Sequence, residues 1–421
     1  MTKARDFLRA HRMEAVLVDP VKEAAAMAGD MRRGLEGGES SMPMIVTYLS
    51  NDGQLPAGAK AVVIDAGGTN FRSALVSYDG EAFRVEQLNK WKMPGTDSPC
   101  SWEEFISFTA DKIQPLLSET DLIGFCFSYN AEITPEMDGK VVSIDKEVVV
   151  TGCEGQLVGK SLVEELERRG IKGKRAVIVN DTVAVLLGGA ALIRKSDYSG
   201  FIGQVSGTGT NTCVSVDRSA VKKLDLKGNG SVIVNMEAGM YEGIAPGDFD
   251  LELDRESKVP GSKLFEKKTA GVYLGELSRI MLRAAAGEGI LSIEGQKKAE
   301  ALPPIDTSVV DAWASGENLE MVAGSREDGD FAREISLELL ERSARCMAAD
   351  LLAIGLLTGG GREKPIYLCA EGSLVQRSRH YRPALLAQLE RGRSELGIDI
   401  QLHIGNESTL SGSAAAAILN A

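Results

Sequence analysis

Short apolar runs that end in glycine-rich turns recur along the chain. Residues 61–64, AVVI, lead into Asp65 and a turn of glycine and threonine, after which residues 71–78 alternate as a half-buried strand does. Residues 201–205 lead in the same way into a Gly/Thr turn at residues 206–211, and a second strand follows. The repeated order of strand, turn and strand predicts a duplicated α/β protein with a cleft between its halves.

Other segments have the patterns of buried strands and of helices. The strand patterns are apolar runs bounded by polar or glycine residues, and they cover residues 122–128, 176–179 and 365–369. The helical patterns cover residues 1 to about 55 with breaks at Gly37–Gly38 and Pro43, residues 161–169, the segment from Asp181 through Leu187, residues 334–356 and residues 413–419. Alternating strands and helices are typical of α/β domains.

Composition and charge argue against several classes of protein. The 421 residues include 47 Lys and Arg against 60 Asp and Glu, a net charge of -13, which disfavours a nucleic-acid or anionic-membrane partner. No apolar run approaches the roughly 18 residues of a membrane span, and the charged N-terminal segment lacks the apolar core of a signal peptide. The six cysteines are scattered, without the spacing of a zinc site or a disulfide scaffold. We therefore expect a cytoplasmic protein, while the oligomeric state stays open.

The two Gly/Thr turns are suited to binding phosphate. Glycine lets the backbone approach an anion closely, successive N–H groups can form an anion-binding nest, and threonine hydroxyls add donors. Neither turn is a Walker loop, and neither is a dinucleotide-binding GxGxxG turn, because a strand follows where that motif needs a helix. Two ordinary hairpins are the simpler interpretation of either turn alone, but two similar turns after apolar runs favour phosphate.

Asp65 and Asp181 each end an apolar strand pattern. A carboxylate at the end of a strand is placed to hold a metal-bound phosphate or to abstract a proton. Helix capping is an equally good interpretation, above all for Asp181, which precedes a helical segment. The spacing alone leaves both roles open.

Seven segments occur in an order that is typical of one family. They are residues 65–72 (DAGGTNFR), 179–184 (VNDTVA), 206–211 (SGTGTN), 235–237 (NME), 260–267 (PGSKLFEK), 271–277 (GVYLGEL) and 370–373 (AEGS). Together they resemble the motifs of the hexokinases, among them DLGGTNFR, VNDTVAT and the second phosphate turn GTGTNA. The resemblance extends from about residue 60 to the end of the chain.

This resemblance implies an α/β fold with duplicated actin-like (ribonuclease H-like) domains, small and large, around a central sugar and ATP cleft. The small domain would comprise residues 61–180 and 410–421, and the large domain residues 1–60 and 181–409. The implied activity is transfer of phosphate from ATP to the 6-hydroxyl of a hexose, with Mg²⁺ as cofactor, in carbohydrate metabolism and glycolysis.

The resemblance also implies roles for individual residues. Asp181 would be the general base that takes the proton of the 6-hydroxyl, Lys146 would join it in the catalytic set, and Asp65 would hold Mg²⁺ through water. The implied sugar-binding residues are Ser128, Asn130, Asp145, Lys146, Asn180, Asp181, Asn211, Glu237 and Glu266. The implied ATP-binding residues are Asp65, Gly67, Gly68, Thr69, Asn70, Arg72, Gly207, Thr208 and, near the adenosine, Gly372 and Ser373.

The sugar-binding segments depart from the family pattern. The family's FSFP is FSYN at residues 127–130, so that Tyr129 and Asn130 replace phenylalanine and proline. Asp145 replaces a threonine and Lys263 a glutamine. An aspartate only accepts hydrogen bonds where a threonine hydroxyl can also donate, so the pattern of sugar hydroxyls that the site reads is altered. Glucose, fructose, mannose and an amino sugar therefore all stay open as substrates.

Two other functions stay open as alternatives to a hexose kinase. A non-catalytic sugar sensor could share the fold, although a sensor has no use for Asp65, Asp181 and both phosphate turns. An actin-like protein that assembles with ATP would share the cleft by analogy of fold alone, and it gives no task to Glu237 and Glu266. The sequence therefore favours an ATP-dependent hexose 6-kinase.

Overall fold

Two large β-sheets with helices packed against them form the frame of the protein. The computed structural model describes residues 2–68, 70–144 and 148–420. The strands in this part of the chain are β1 (Ile45–Val46), β2 (Lys60–Gly67), β3 (Asn70–Tyr78), β4 (Phe83–Lys92), β5 (Cys100–Ser101), β6 (Leu122–Phe127), β7 (Asn130–Ile133), β8 (Gly139–Ser143), β9 (Val150–Thr151), β10 (Arg175–Val179), β11 (Gly200–Ser206), β12 (Thr210–Asp217), β13 (Ser231–Asn235), β14 (Ile366–Glu371) and β15 (Ile400–Ile404).

Along the chain, helices lie before, between and after these strands. The described α-helices are α1 (Lys3–Ala10), α2 (Pro20–Glu36), α3 (Trp102–Ile113), α4 (Val158–Arg168), α5 (Asp181–Ala190), α6 (Asp248–Glu256), α7 (Leu264–Thr269), α8 (Gly271–Gly287), α9 (Ile293–Ala301), α10 (Thr307–Ala314), α11 (Arg326–Thr358), α12 (Ser373–Arg377), α13 (Tyr381–Leu396) and α14 (Ser408–Asn420). Single turns of 3-10 helix are formed by Ala15–Leu17, Gln114–Leu116, Lys195–Asp197, Arg218–Ala220, Ala238–Met240 and Leu319–Met321.

The first large sheet has the strand order β10-β6-β2-β3-β4. The strands β2, β3 and β4 are antiparallel neighbours, whereas β6 runs parallel to β2 and β10 parallel to β6. Because β2, β6 and β10 run in the same direction, their carboxyl ends meet at one edge of the sheet. This edge carries Asp65 and Gly67, then Ser128, and then Asn180 and Asp181.

The second large sheet has the order β1-β13-β12-β11-β14-β15 and repeats this arrangement. The strands β11, β12 and β13 are antiparallel neighbours, and β14 and β15 continue the sheet in parallel on the other side of β11. Val205 of β11 lies opposite Glu371 of β14, so the Gly/Thr turn after β11 and Gly372 after β14 share an edge. The common strand order confirms the predicted duplication of an α/β unit.

Helices α5 and α14 connect the two sheets through close packing at glycines. A Cβ atom at Gly412 of α14 would lie 1.8 Å from the carbonyl oxygen of Ala184 in α5. A Cβ atom at Gly124 of β6 would lie 2.0 Å from the carbonyl oxygen of Ser413 in α14. Since α5 also packs against β11, the helix that begins at Asp181 contacts elements of both sheets.

The predicted helical segments all differ in their bounds from the structure, and three of them differ by five residues or more. The helical prediction for the N-terminal segment is wrong beyond α2, which ends at Gly37, where φ is +83° and only glycine is unstrained. Helix α11 begins earlier than residue 334 because Ser325 caps it by accepting a hydrogen bond from the N–H of Asp328. Helix α14 begins at Ser408 rather than at residue 413.

The apolar side chains are buried between the sheets and their helices. One core packs α2, α8 and α11 with the second sheet, and another packs α3 and α4 with the first. In the part of the chain that the structure describes, no helix is both long enough and apolar enough to cross a membrane.

Candidate active site

Asp181 lies at the beginning of α5, directly after β10. Asn180 is the N-cap residue of this helix, and its Oδ1 accepts the N–H of Thr182 at 2.9 Å. Oδ1 of Asp181 accepts the same N–H at 2.7 Å, which leaves its other carboxylate oxygen for a second task. The negative charge of Asp181 raises the pKa of Asp65 in the first sheet and of Glu237 after the second sheet. Asp181 is therefore within electrostatic range of both carboxylates.

Asp65 and Arg72 face each other across β2 and β3. Nε of Arg72 donates to Oδ2 of Asp65 at 2.7 Å, and Nη2 donates to the same oxygen. Burial raises the pKa of Asp65, the Arg72 guanidinium opposes this shift, and the charge of Asp181 adds to it, so that the net direction is upward. A cation near both carboxylates would relieve this repulsion.

The donor set at Asp65 fits a magnesium ion that is held partly by water. Mg²⁺ prefers oxygen ligands, usually keeps several waters, and is bound by one or two carboxylates together with substrate phosphates. Asp65 offers one carboxylate, and Asp181 is close enough for its charge to act there. Among the described residues, no group of three or more His, Cys, Asp or Glu could hold a metal ion. Phosphate oxygens and water would have to complete such a site.

The first Gly/Thr turn lies beside the segment that follows β6. Gly68 has φ of +58°, a left-handed conformation that favours glycine. A Cβ atom at Gly67 would lie 3.6 Å from Oγ of Ser128, so these two segments are in contact. The buried Tyr129 hydroxyl donates to the Gly68 carbonyl oxygen at 2.8 Å. Burial raises the pKa of Tyr129, and the negative charge of Asp65 raises it further, so its hydroxyl keeps its proton at neutral pH.

The second Gly/Thr turn packs against the segment that follows β14. A Cβ atom at Gly207 would lie 3.3 Å from Cα of Gly372 and from the backbone nitrogen of Ser373. Gly372 has φ of +119°, and a Cβ atom there would lie 2.3 Å from the carbonyl oxygen of Ser206. Only glycine fits at position 372. In the turn itself, the exposed Thr208 follows Gly207. The structure thus brings together two segments to which the sequence assigned phosphate and adenosine.

Glu237 is held in a network of side-chain amides after β13. Its Oε1 accepts Nδ2 of Asn235 at 2.7 Å and Nδ2 of Asn211 at 3.3 Å. Burial raises the pKa of Glu237; the Asn235 hydrogen bond and the Lys263 charge lower it, while the Asp181 and Glu266 charges raise it. Its second oxygen is left for a ligand hydroxyl, and a carboxylate can accept from two adjacent hydroxyls.

Glu266 approaches the second Gly/Thr turn from helix α7. Its Oε1 accepts the N–H of Thr210 at 3.3 Å, and Nζ of Lys263 lies 3.7 Å from its Oε2. The adjacent Lys267 is almost fully buried and donates to Asp254 and, at 2.8 Å, to the carbonyl oxygen of Val259. These contacts fix the loop before α7 and thereby the direction in which Glu266 points.

Comparison with known sequences assigns this arrangement to a family. Sequence models of the hexokinases match residues 5–191 and residues 201–419, so that the second match alone covers more than half of the chain. The chain belongs to the hexokinase family. It is therefore a sugar kinase, a phosphotransferase that uses ATP, as the sequence predicted.

Named hexokinases are similar over most of their length. The chain is 30% identical to Hexokinase-1 of Oryza sativa subsp. japonica over 400 residues, which cover 85% of this chain and 78% of the rice protein. It is 30% identical to Hexokinase-1 of Nicotiana tabacum over 440 residues, which cover 94% and 87% of the two chains. The solved structure of a Schistosoma mansoni hexokinase with glucose matches with a TM-score of 0.76 and 22% identity over 99% of both chains, which shows a shared hexokinase fold.

The remaining predicted residues of this hexokinase-family site lie along the same edges. Ser128 follows β6, and the exposed Asn130 begins β7, where it pairs with Ser143 of β8. Asn70 begins β3 at the end of the first turn. The predictions for Thr69, Asp145 and Lys146 fall outside the described residues.

Sequence reasoning missed Asp350, which lies under the second Gly/Thr turn of this hexokinase-family site. Its side chain is fully buried in α11, and its Oδ2 accepts Oγ1 of Thr212 at 2.8 Å. Thr212 in turn lies opposite Gln204 in the β-ladder, and Oδ1 of Asp350 has no partner in the described protein. Burial raises the pKa of Asp350 to about 7. The only sequence signal is that Asp350 interrupts an otherwise apolar stretch at residues 346–357 of the helical pattern.

This buried carboxyl predicts that Asp350→Asn flattens the pH dependence of stability. The folded protein keeps a proton on Asp350 up to about pH 7, whereas the unfolded chain releases it near the ordinary value of 3.8. The contribution of the protonated group is present below pH 4 and is lost as the pH rises to about 7. Between pH 5 and 8 the free energy of unfolding of the wild type should fall by about 3 kcal/mol relative to the variant. Urea unfolding at several pH values measures this difference, and parallel curves for the two proteins would contradict the assignment.

Proposed function

We propose that this sugar kinase transfers the γ-phosphoryl group of ATP to the 6-hydroxyl of a hexose, with Asp181 as the general base. The observation that carries the proposal is the position of Asp181. Asp181 follows β10 at the edge of the first sheet that also carries Asp65, and its charge acts on Asp65 and on Glu237. A base near both a phosphate site and a hydroxyl-binding carboxylate can take the proton of the hydroxyl as it attacks. Such a base typically accelerates the reaction by about 10²–10⁴-fold.

The proposed sugar subsite combines carboxylate acceptors and side-chain amides with Asp181. Glu237 and Glu266 accept hydrogen bonds from sugar hydroxyls, and their orientation is supported by Asn235 and by the Thr210 N–H. Asn180 and Asn211 add amide groups, while Ser128, Asn130, Asp145 and Lys146 complete the set that the resemblance implies. We propose a hexose as substrate because this set offers many hydroxyl partners and no large apolar surface.

The proposed nucleotide subsite uses both Gly/Thr turns. Gly67, Gly68, Thr69, Asn70 and Arg72 line the phosphates from the first sheet. Gly207 and Thr208 line them from the second sheet, and Gly372 with Ser373 receives the adenosine side, which the contact of these segments supports. Mg²⁺ at Asp65 supplies charge neutralisation for the transferred phosphoryl group, the main requirement of this chemistry together with positioning.

We also propose the domain boundaries and the cellular context. A small domain of residues 61–180 and 410–421 and a large domain of residues 1–60 and 181–409 each contain one of the two large sheets. The packing of α5 against α14 joins them at a position next to Asp181. Closure of such domains over the sugar would exclude water and so prevent hydrolysis of ATP. We place the enzyme in the cytoplasm, in the phosphorylation of hexoses for glycolysis.

An assay of ADP release with Mg-ATP against a sugar panel tests this proposal. The panel contains glucose, mannose, fructose, glucosamine and N-acetylglucosamine, which differ at the positions that Asn130, Asp145 and Lys263 could read. We expect turnover with at least one hexose well above the background without sugar. Sugar-induced thermal stabilisation without ADP release from any of the five would instead support a non-catalytic sugar sensor.

Glu237→Gln is expected to lower kcat/KM for the preferred hexose by about 10–100-fold, with KM for ATP within about twofold. A hydrogen bond to a charged group contributes about 1.5–3 kcal/mol, and glutamine keeps the shape of the side chain without its charge. The matched control is Glu242→Gln, which changes an exposed glutamate five residues further along the chain. Equal sugar kinetics in the two variants would remove Glu237 from the sugar subsite.

A further inference from the structure

The side chain of Tyr129 links two segments that the proposed function assigns to different substrates. Tyr129 follows Ser128, which the proposed function assigns to the sugar subsite. The Tyr129 hydroxyl donates to the carbonyl oxygen of Gly68 in the first phosphate turn at 2.8 Å. The two residues are 61 positions apart in the chain. One side-chain hydrogen bond therefore spans from the sugar segment to the phosphate turn.

The surroundings hold the Tyr129 ring in this position. Only 6% of the residue is exposed, and its ring packs at 5.2 Å between centroids against the ring of Phe127. Phe127 belongs to β6, which pairs in parallel with β2 directly before the turn. The ring is thus anchored on the sheet, and its hydroxyl meets a turn residue that has left the ladder.

The bonded carbonyl belongs to Gly68, which lies in the hairpin turn between the paired residues Gly67 and Asn70. Gly68 has φ of +58°, and no heavy atom would lie within 4 Å of a Cβ atom placed there. Glycine can adopt many backbone conformations, so a side-chain hydrogen bond to its carbonyl oxygen restricts its orientation. Because the peptide group is planar, fixing the carbonyl oxygen fixes the plane of the whole group.

The backbone already holds the base of the turn, where Gly67 pairs with Asn70 in the ladder. The N–H of Ser128 donates to the carbonyl oxygen of Ala66 at 3.2 Å, which extends the ladder by one residue. Oγ of Ser128 lies near Gly67. The contact to Gly68 requires the phenolic oxygen, which the phenylalanine of the family motif lacks.

We propose that Tyr129 is a positioning residue that couples the sugar segment to the first phosphate turn, so that each substrate strengthens the binding of the other. This inference rests on the proposed function. Coupling of two binding sites is reciprocal, and loss of the link should weaken it in both directions. One neutral hydrogen bond corresponds to about a 2–10-fold change in an equilibrium constant.

The test compares Tyr129→Phe with Tyr78→Phe. The Tyr78 hydroxyl donates to the carbonyl oxygen of Gly80 at 2.8 Å, in the hairpin between β3 and β4, and this residue is also buried. Each variant therefore loses one buried hydroxyl-to-glycine hydrogen bond of the same length. A similar decrease in melting temperature is expected for both.

Calorimetry measures the Kd of a non-hydrolysable ATP analogue with Mg²⁺, in the absence and presence of the preferred hexose, or of glucose if none turns over. We expect hexose to lower the Kd of the ATP analogue in the wild type and in Tyr78→Phe. The ratio of the Kd values without and with hexose should be about 2–10-fold smaller in Tyr129→Phe. KM for ATP at saturating hexose should rise by a similar factor in Tyr129→Phe alone.

Equal coupling factors in the three proteins would overturn the role of Tyr129, even if the enzyme phosphorylates the hexose normally. The binding measurement does not depend on turnover. A failure of sugar phosphorylation in the wild type would therefore be a separate result, and it would count against the proposed function only.

Discussion

Asp181→Asn is expected to lower kcat with the preferred hexose by about 10²–10⁴-fold, while the affinity for the hexose changes by less than about threefold. Asparagine cannot accept the proton of the attacking hydroxyl. Its Oδ1 can still accept the N–H of Thr182, which Asp181 accepts at 2.7 Å, and Asn180 still caps the helix. The substitution therefore removes the base and keeps the local structure.

The loss should appear in kcat and not in substrate binding. ADP release measures kcat, and calorimetry measures the Kd of the hexose in the same preparation. Asp217→Asn is the matched control, because Oδ1 of Asp217 accepts the N–H of Ser219 at 2.7 Å at the exposed beginning of a 3-10 helix. If kcat of Asp181→Asn stays within tenfold of the wild type, Asp181 is not the base.

Arg342→Met is expected to lower the free energy of unfolding by about 3–5 kcal/mol. Nη1 of Arg342 donates to Oδ1 of Asp250 at 3.0 Å, and both side chains are buried, with 3% and 4% of their area exposed. Without the guanidinium, the carboxylate of Asp250 keeps the N–H of Gly247 at 2.8 Å but loses its ion pair. A buried charge without its partner is strongly destabilising, whereas a neutral pair of similar size is not.

Urea unfolding with two further variants separates this mechanism from a general packing defect. The double variant Arg342→Met, Asp250→Asn should recover at least half of the loss, because neither charge of this pair is left buried; the buried Lys268 is present in all the variants. Arg345→Met lies on the same helix and removes a more exposed ion pair to Glu341, so it should change stability by no more than about 1 kcal/mol. A double variant as unstable as Arg342→Met would refute the charge argument.

The packing of α7 connects the Arg342–Asp250 ion pair to the proposed sugar subsite. Asp250 and Asp254 belong to α6, Arg342 to α11, and α7, which carries Glu266, packs against both helices. We therefore expect that substitutions in this group also raise KM for the hexose, while KM for ATP changes less.

Local patterns predicted the edges of both sheets, because turns of glycine and threonine after apolar runs leave a signal in a few adjacent residues. Asp65 and the first turn follow β2, and the second turn follows β11, where the sequence placed them. The pairing of Asp65 with Arg72 could also be predicted, because the hairpin places the two residues opposite each other in the ladder. The resemblance had assigned Arg72 to phosphate alone.

Features that depend on distant segments had little or no sequence signal. The bond from Tyr129 to Gly68 joins the segments that follow two strands, which are neighbours only in the folded sheet. The burial of Asp350 against Thr212 depends on the packing of α11 under β12. In the proposed function, the sugar hydroxyls that the site reads also depend on Asp145 and Lys146, and no local pattern predicts how these residues lie relative to Glu237.

A hexose that lacks the 6-hydroxyl tests the proposed phosphoryl transfer most directly. ADP release with Mg-ATP should be measured for the preferred hexose and for its 6-deoxy counterpart, which lacks only the attacking group. We expect one ADP for each hexose consumed, a hexose 6-phosphate as product, and no release above background with the 6-deoxy sugar. ADP release that is independent of sugar, or equal with the two sugars, would contradict a hexose 6-kinase.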